Sequence, residues 1–155
     1  ICKWLTDQAM AAGEGIGRDM SNYRVMSAAP AFTGDKKSAI EKVKWFPAMV
    51  GNHVADIVEK YGADSDEVPS SLTSYIKNRR GYDYSKHGQS DNPYLDFITD
   101  DIVEEFCILG EPEEHIEKLN TLKAAGVTQF NIYLDSGDEE KIISDYGEHV
   151  IPAFS

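Results

Sequence analysis

Apolar and polar positions along this chain follow helical and strand periods in turn, and one arrangement occurs twice. Near the start, a helix ending in "AMAAG" (residues 9–13) precedes the apolar run "YRVMSAAPAF" (23–32), a "TGD" turn and a helix from Lys36. In the last third, "PEEHIEKLNTLKAAG" (112–126) precedes "VTQFNIYL" (127–134), "DSGDEE" and a helix that reaches Val150. Strands that alternate with helices predict parallel pairing, and therefore an α/β structure of layers or a barrel.

The residues around these elements carry turn and cap signals. Gly13 and Gly126 suit the left-handed position just past a helix end, and each Gly-Asp pair suits a turn followed by a helix N-cap. Pro112 suits a first helical turn. Pro47 is predicted to kink or split its helix, because proline lacks a backbone N–H. Two helices show apolar faces, formed by Val50, Val54, Ile57, Val58 and Tyr61 in one and by Ile116, Leu119 and Leu122 in the other.

The stretch between Gly62 and Asp101 is the least regular part of the chain. It lacks sustained periodicity, apart from a short helix predicted over residues 70–78. We therefore expect an irregular insertion at about residues 63–99, and connections of this length are usually functional or disordered. The chain has two clear strands and a short third candidate in "FCILG" (106–110), which is too few for a closed eight-stranded barrel.

Composition narrows the class of protein. The net charge of −12, from 15 basic and 27 acidic residues, argues against nucleic-acid binding, which needs clustered cations. No run approaches the ~18 apolar residues of a membrane span, so we expect neither nucleic-acid nor membrane partners. Two distant cysteines are typical of a reduced, cytoplasmic protein. The four histidines lack the short spacing of a metal motif, and we expect no metal site.

Runs of acidic residues lie before or at predicted helix starts, where the helix dipole and solvation explain them. A hydrolase with paired carboxylates would need two acids converging in a cleft, and the sequence favours no particular pair.

The segment "NRRGYDYSKHGQSDNPY" (78–94) is unusual, because it gathers cations and aromatic rings in an acidic protein. Its candidate ligand-binding side chains are Arg79, Arg80, Tyr82, Tyr84 and His87. The arginines suit a phosphate or carboxylate, the tyrosines suit a flat ring, and the histidine suits proton transfer near neutral pH. These residues alone are compatible with two interpretations: a solvated loop, and a loop that closes over an anionic ligand.

The C-terminal motifs "ILGEPEEHIEKLNTLKAAGVTQFNIYL" and "GDEEKIISDYGEHVIPAF" resemble the C-terminal end of the luciferase-like family. "YRVMSAAPAFTGD", "WFPAMVGNHVADIVEKYG" and "GYDYSKHG" resemble one subgroup of it, so the resemblance covers nearly the whole chain. The residues that carry the family pattern at the C-terminal end are Gly110, Pro112, Glu113, Glu114, Ala125, Gly126, Val127 and those from Val150 to Phe154.

This resemblance implies a (β/α)8 TIM barrel, of which residues 1–155 would be the C-terminal half, incomplete as a fragment. The absence of an initial Met and the helical start favour the same expectation. It also implies an oxidoreductase, a monooxygenase among the options, that uses FMN or the deazaflavin coenzyme F-420 and acts on a small-molecule substrate.

The resemblance further implies that Arg79 and Arg80 bind an anionic part of the cofactor or substrate, while Tyr82 and Tyr84 cover the ring. His87 would be the catalytic proton donor. The alternative is a non-catalytic half-barrel that acts through self-assembly at open sheet edges. We expect a homo-oligomer.

Overall fold

The structure, a computed structural model, describes residues 2–61, 98–135 and 137–155. The strands are Met26–Thr33 (β1), Ile108–Gly110 (β2) and Gln129–Tyr133 (β3). A π-helix, Tyr146–Val150, and a 3-10 helix, Ile151–Phe154, close the chain. The α-helices are Cys2–Gly15 (α1), Lys36–Val43 (α2), Trp45–Tyr61 (α3), Asp100–Phe106 (α4), Pro112–Ala124 (α5) and Glu139–Asp145 (α6). The predicted alternation of helices with strands is confirmed.

The three strands form one parallel sheet in the order β2-β1-β3. Strand β1 is the longest and lies in the centre. Its last three residues pair with β2, from Ala31 opposite Ile108 to Thr33 opposite Gly110. Its first five residues pair with β3 on the other side, from Met26 opposite Gln129 to Pro30 opposite Tyr133. The predicted α/β class and parallel pairing are therefore confirmed for this small sheet.

Helices cover both faces of the sheet. Phe32 and Tyr133 share one face, because strand side chains alternate and Tyr133 lies opposite Pro30. Helices α2 and α3 cover that face, since Lys42 lies over the Phe32 ring and Phe46 packs on Tyr133. Thr33 points to the opposite face, where it contacts α6. The buried residues of both layers form one apolar core around β1.

Helices α2 and α3 are split as the proline predicts. Pro47 cannot donate to the carbonyl of Val43, the residue four positions before it, and α2 ends at Val43. Asp35 is the N-cap of α2, and its side chain accepts a hydrogen bond from the N–H of Ser38 at 3.0 Å. Asp138 also lies at an N-cap position, but it makes no capping bond and contacts Lys42 instead.

Of the two glycines predicted to follow a helix end, the prediction for Gly13 is wrong. Gly13 lies inside α1, which runs on to Gly15, and the left-handed residue is Gly17 with φ 74°. A Cβ at Gly13 would lie 2.3 Å from the Sδ of Met20, so packing against Met20 explains this glycine. The second prediction is confirmed, because Gly126 follows α5 with φ 92°.

The predicted insertion falls mostly outside the described residues, as does the helix predicted over 70–78. Described chain resumes at Ile98, which is buried, and α4 begins at Asp100. Among the described residues, no helix combines the length and apolar character needed to cross a bilayer.

Candidate active site

The ends of the three strands lie at one edge of the sheet, which we call the carboxyl edge. It consists of Thr33, Gly110 and Tyr133 together with the loops that follow them. The N–H of Gly34 donates to the carbonyl of Gly110 at 2.9 Å and so ties the first two loops together. A Cβ at Gly110, where φ is 118°, would lie 2.0 Å from the Glu114 carboxylate. Parallel α/β proteins build their active sites at this edge.

His115, in the first turns of α5, is completely buried at the carboxyl edge. Its Nε2 lies 3.1 Å from the carbonyl of Phe32, which only accepts, so Nε2 carries the proton. Its Nδ1 lies 2.9 Å from the hydroxyl of Tyr146, which therefore donates to it. Burial lowers the pKa of His115 and raises that of Tyr146, so both groups are neutral at pH 7. The pair joins α5, β1 and the π-helix Tyr146–Val150.

A second polar cluster lies beside it on the same face. The hydroxyl of buried Thr33 donates to the carboxylate of Asp145, and Lys141 contacts that carboxylate too. The Nζ of Lys141 lies 3.2 Å from both the hydroxyl and the carbonyl oxygen of Thr33. Hydrogen bonds from Lys141 and Thr33 lower the pKa of Asp145. The cluster is thus a charged lysine and a charged aspartate that hold the end of β1.

Two further lysines near the edge are paired with carboxylates. Lys36 lies 2.5 Å from Glu114, and this hydrogen bond raises the pKa of the lysine and lowers that of the glutamate. Glu114 also accepts from the N–H of Glu111, which completes a capping box at the start of α5. Lys42 contacts Asp138 and lies 4.6 Å from the centre of the Phe32 ring.

An aromatic group lies on the α3 side of the carboxyl edge. The ring centre of Tyr133 is 5.5 Å from that of Phe46 and 6.4 Å from that of Trp45. Trp45 and Phe46 are buried, whereas Tyr133 is 43% exposed. The tyrosine ring is therefore held from behind by two aromatic side chains and is accessible in front, an arrangement suited to a flat ligand ring.

The five residues predicted from sequence as ligand contacts, Arg79, Arg80, Tyr82, Tyr84 and His87, lie outside the described residues. Those predictions stay predictions. No group of three or more metal-binding side chains occurs in the described ranges 2–61, 98–135 and 137–155.

Sequence reasoning missed His115, the most buried polar residue at this edge. A signal was present, because His115 precedes Leu119 and Leu122 by four and seven residues and so falls on the apolar stripe of its helix. A histidine on such a stripe is expected to be buried and hydrogen-bonded rather than exposed to substrate.

Comparison with known proteins identifies the family. The family model described as luciferase-like monooxygenase matches residues 2–129. A curated relative, the 5,10-methylenetetrahydromethanopterin reductase of Methanopyrus kandleri, is 30% identical over 153 residues. The match covers 97% of this chain and 40% of that relative, so the chain spans less than half of the relative's length. On this evidence, the chain belongs to the luciferase-like monooxygenase family.

Proposed function

We propose that this chain forms part of a flavin- or deazaflavin-dependent oxidoreductase whose cofactor ring lies at the carboxyl edge. The observation that carries the proposal is the exposed ring of Tyr133, which ends β3 and is supported by Trp45 and Phe46. This is the edge where parallel α/β enzymes bind their ligands, and family membership implies a cofactor of this kind. We also propose that this chain forms the C-terminal part of the barrel expected from the family.

The residues present fit a flat, apolar-faced group better than a free anion. Lys36, Lys42 and Lys141 are each paired with a carboxylate, so an anionic group would have to compete for them. We therefore keep Arg79 and Arg80 as the proposed contacts of an anionic part of the cofactor or substrate.

The cofactor, FMN or coenzyme F-420, would supply hydride transfer when bound. The chain's own residues would orient the ring and exclude water, with Tyr82 and Tyr84 proposed to cover it and His87 proposed to donate a proton. His115 does not take that last role, because it is enclosed and both ring nitrogens are engaged.

The reaction type we favour is reduction of a small molecule. The name of the relative from Methanopyrus kandleri, a reductase, supports reductive hydride transfer, whereas the name of the family model supports oxygen use. Turnover of substrate candidates, measured with and without oxygen, distinguishes the two: turnover that continues without oxygen supports reduction, and turnover that requires oxygen supports monooxygenation.

Titration with FMN and with coenzyme F-420, followed by absorption and fluorescence, tests the cofactor proposal. Tyr133→Ala should weaken binding, and so should Arg79→Ala combined with Arg80→Ala. Tyr23→Ala and Arg24→Ala are matched controls, because these exposed residues precede β1 at the opposite end of the sheet. Absence of binding to both cofactors would overturn the proposal, as would equal losses in the controls.

A second candidate function, assembly of a non-catalytic chain, is favoured by the position of β3 at the end of the described sheet. Its outer edge pairs with no strand in the described residues, and such edges are templates for pairing with another copy. Light scattering tests this: a homo-oligomer supports it, and a compact monomer contradicts it.

A further inference from the structure

The ion pair between Lys42 and Asp138 joins the end of α2 to the loop that follows β3. Asp138 occupies the N-cap position of α6, where an aspartate side chain ordinarily accepts a hydrogen bond from the first turn of its helix. Here the side chain makes no capping bond, and its carboxylate contacts Lys42 instead. Positions at which a local rule is broken often have a functional cause.

The carboxylate of Asp138 is the least constrained of the three that pair with lysines near the carboxyl edge. The carboxylate bound to Lys141 also accepts from the hydroxyl of Thr33. The carboxylate bound to Lys36 also accepts from a backbone N–H in the capping box of α5. Within the described ranges, Lys42 is the single side-chain partner of Asp138. An incoming anion would therefore break one contact at Asp138, whereas it would break two at either of the other pairs.

Lys42 is held at the edge by a second contact that does not involve Asp138. Its Nζ lies 4.6 Å from the centre of the Phe32 ring, which is a cation–π contact. Phe32 is buried and lies one residue before the end of β1, so it provides a fixed support. The side chain of Lys42 is 37% exposed and that of Asp138 is 33% exposed, so a ligand can reach both. The ammonium group therefore keeps its place when the carboxylate leaves.

The ammonium group of Lys42 lies close to the exposed ring of Tyr133. Phe32, which supports it, is two residues beyond Pro30, and Tyr133 lies directly opposite Pro30 on the neighbouring strand. A strand spacing of ~4.8 Å and a rise of ~3.3 Å per residue separate the Cβ atoms of Phe32 and Tyr133 by about 8 Å on the same face. One ligand can therefore pack a flat ring on Tyr133 and place an oxygen atom at Lys42.

We propose that Lys42 binds an anionic oxygen, of a carboxylate or a phosphate, on the ligand whose flat ring packs on Tyr133, and that this oxygen exchanges with the carboxylate of Asp138. The inference rests on the proposed function in one respect, the flat ring at Tyr133. The ligand oxygen forms the same charge-assisted contact that Asp138 makes. A partly exposed ion pair contributes little to stability, so the exchange costs little.

Exchange predicts that the two partners of this ion pair have opposite effects on ligand affinity. Removal of the charge on Lys42 should weaken binding of an anionic ligand, because the ammonium group is the contact. Removal of the charge on Asp138 should strengthen it, because the carboxylate competes for that ammonium group. An ion pair that only held the loop in place would affect binding in the same direction from either side.

Titration calorimetry with cinnamate, a flat ring that carries a carboxylate, and with its neutral amide, cinnamamide, tests these signs. Lys42→Met should weaken cinnamate binding by about fivefold or more, since a hydrogen bond to a charged group is lost. Asp138→Asn should tighten it by about two- to fivefold, as expected for loss of a competing exposed ion pair. Lys42→Arg keeps the charge and should retain binding, and cinnamamide should bind equally to every variant.

A double variant and a matched control separate exchange from a general effect of charge. Lys42→Met combined with Asp138→Asn should bind cinnamate as Lys42→Met alone does, because Asp138 competes only for Lys42. Asp7 forms a lysine–aspartate ion pair within α1, so Asp7→Asn makes the same chemical change in another pair. Asp7→Asn should leave the affinity for cinnamate unchanged.

FMN and riboflavin identify the source of the anionic oxygen, since riboflavin has the same ring and lacks the phosphate. If the cofactor's phosphate supplies the oxygen, Lys42→Met and Asp138→Asn shift FMN binding in opposite directions and leave riboflavin binding unchanged. If the substrate supplies it, neither variant changes the affinity for either flavin, and cinnamate alone responds.

Two results would overturn the assignment of Lys42. One is cinnamate binding that is absent or no tighter than cinnamamide binding, and the other is weaker cinnamate binding in both single variants. If Lys42→Met fails to fold, Asp138→Asn decides alone, because misfolding cannot tighten binding. Opposite effects on cinnamate in a chain that binds neither FMN nor coenzyme F-420 would refute the proposed function and support the anion contact.

Discussion

The hydrogen bonds of His115 allow a quantitative test of how the carboxyl edge is held together. Replacing His115 with Leu keeps a similar volume but removes the partner of the Tyr146 hydroxyl and one donor to the Phe32 carbonyl. An orphaned buried hydroxyl costs about 1–3 kcal/mol, and a lost hydrogen bond about 0.5–1.5 kcal/mol. We therefore expect His115→Leu to lower the free energy of unfolding by about 2–4 kcal/mol.

Urea unfolding followed by the fluorescence of the two buried tryptophans, Trp4 and Trp45, measures this change. Tyr146→Phe is the companion variant, since it removes the hydroxyl that His115→Leu would leave unpaired. The double variant should lose less stability than the two single losses combined, by about 1 kcal/mol or more. A free energy of unfolding of His115→Leu within about 0.5 kcal/mol of that of the native chain would refute the reasoning. A double variant whose loss equals the sum of the two single losses would refute it too.

The burial of His115 also predicts that the stability of the folded chain depends on pH, with a definite sign. Burial lowers the pKa of His115 below its ordinary value of 6.5 in the folded chain, so the unfolded chain takes up the proton first as the pH falls. Stability should therefore decrease below about pH 6.5, by at most about 1.4 kcal/mol per pH unit, and stop decreasing once the folded histidine is protonated too.

His115→Leu should abolish that component. His53 and His149 are exposed, and replacing either with Gln serves as the control. An acid-induced loss of equal size in His115→Leu would contradict the assignment.

The remaining predictions concern a cap, two glycines and two thiols. Asp35→Ala should lower the free energy of unfolding by about 1 kcal/mol, because it removes the N-cap of α2, and Asp35→Asn should not; urea titration measures both. Gly126→Ala should lower the free energy of unfolding more than Gly137→Ala does, and thermal unfolding measures both. Both glycines have positive φ, 92° and 85°, so alanine at either position lowers stability by about 1–2 kcal/mol through backbone strain. Only at Gly126 would the new Cβ lie 2.9 Å from a neighbouring methyl group, so equal costs would contradict this. Burial raises the pKa of Cys107 to about 12, so a thiol reagent at about pH 8 should modify Cys2 much faster than Cys107 in the folded chain, and equal rates would contradict it.

Local signals in the sequence predicted most of the elements. Helical and strand periods placed β1, β3 and α5 within a few residues of their observed bounds. Pro47 marked the break between α2 and α3, and Asp35 marked a helix start. These predictions succeed because periodicity, proline and caps act within one or two turns of the chain. The role of Gly13 was predicted wrongly because it does not depend on a local signal. A glycine is needed there because Met20, which lies outside the helix, packs against it.

The candidate site was less predictable, because its residues come from distant parts of the chain. Thr33 and Asp145 are 112 positions apart, and His115 meets a carbonyl 83 positions away. The pattern in α5 marked His115 as part of an apolar stripe without indicating its partners.

By itself, the sequence determined the α/β class, the order of the elements and the family, since these depend on local periods and on motifs in their order. Only the tertiary structure decided that β1 lies between β2 and β3 and that β2 covers just the last three residues of β1. Strand order and register depend on which surfaces pack together across the whole chain, and no local signal encodes them. That register places the end of β2 beside the end of β1 at the carboxyl edge and sets Tyr133 opposite Pro30.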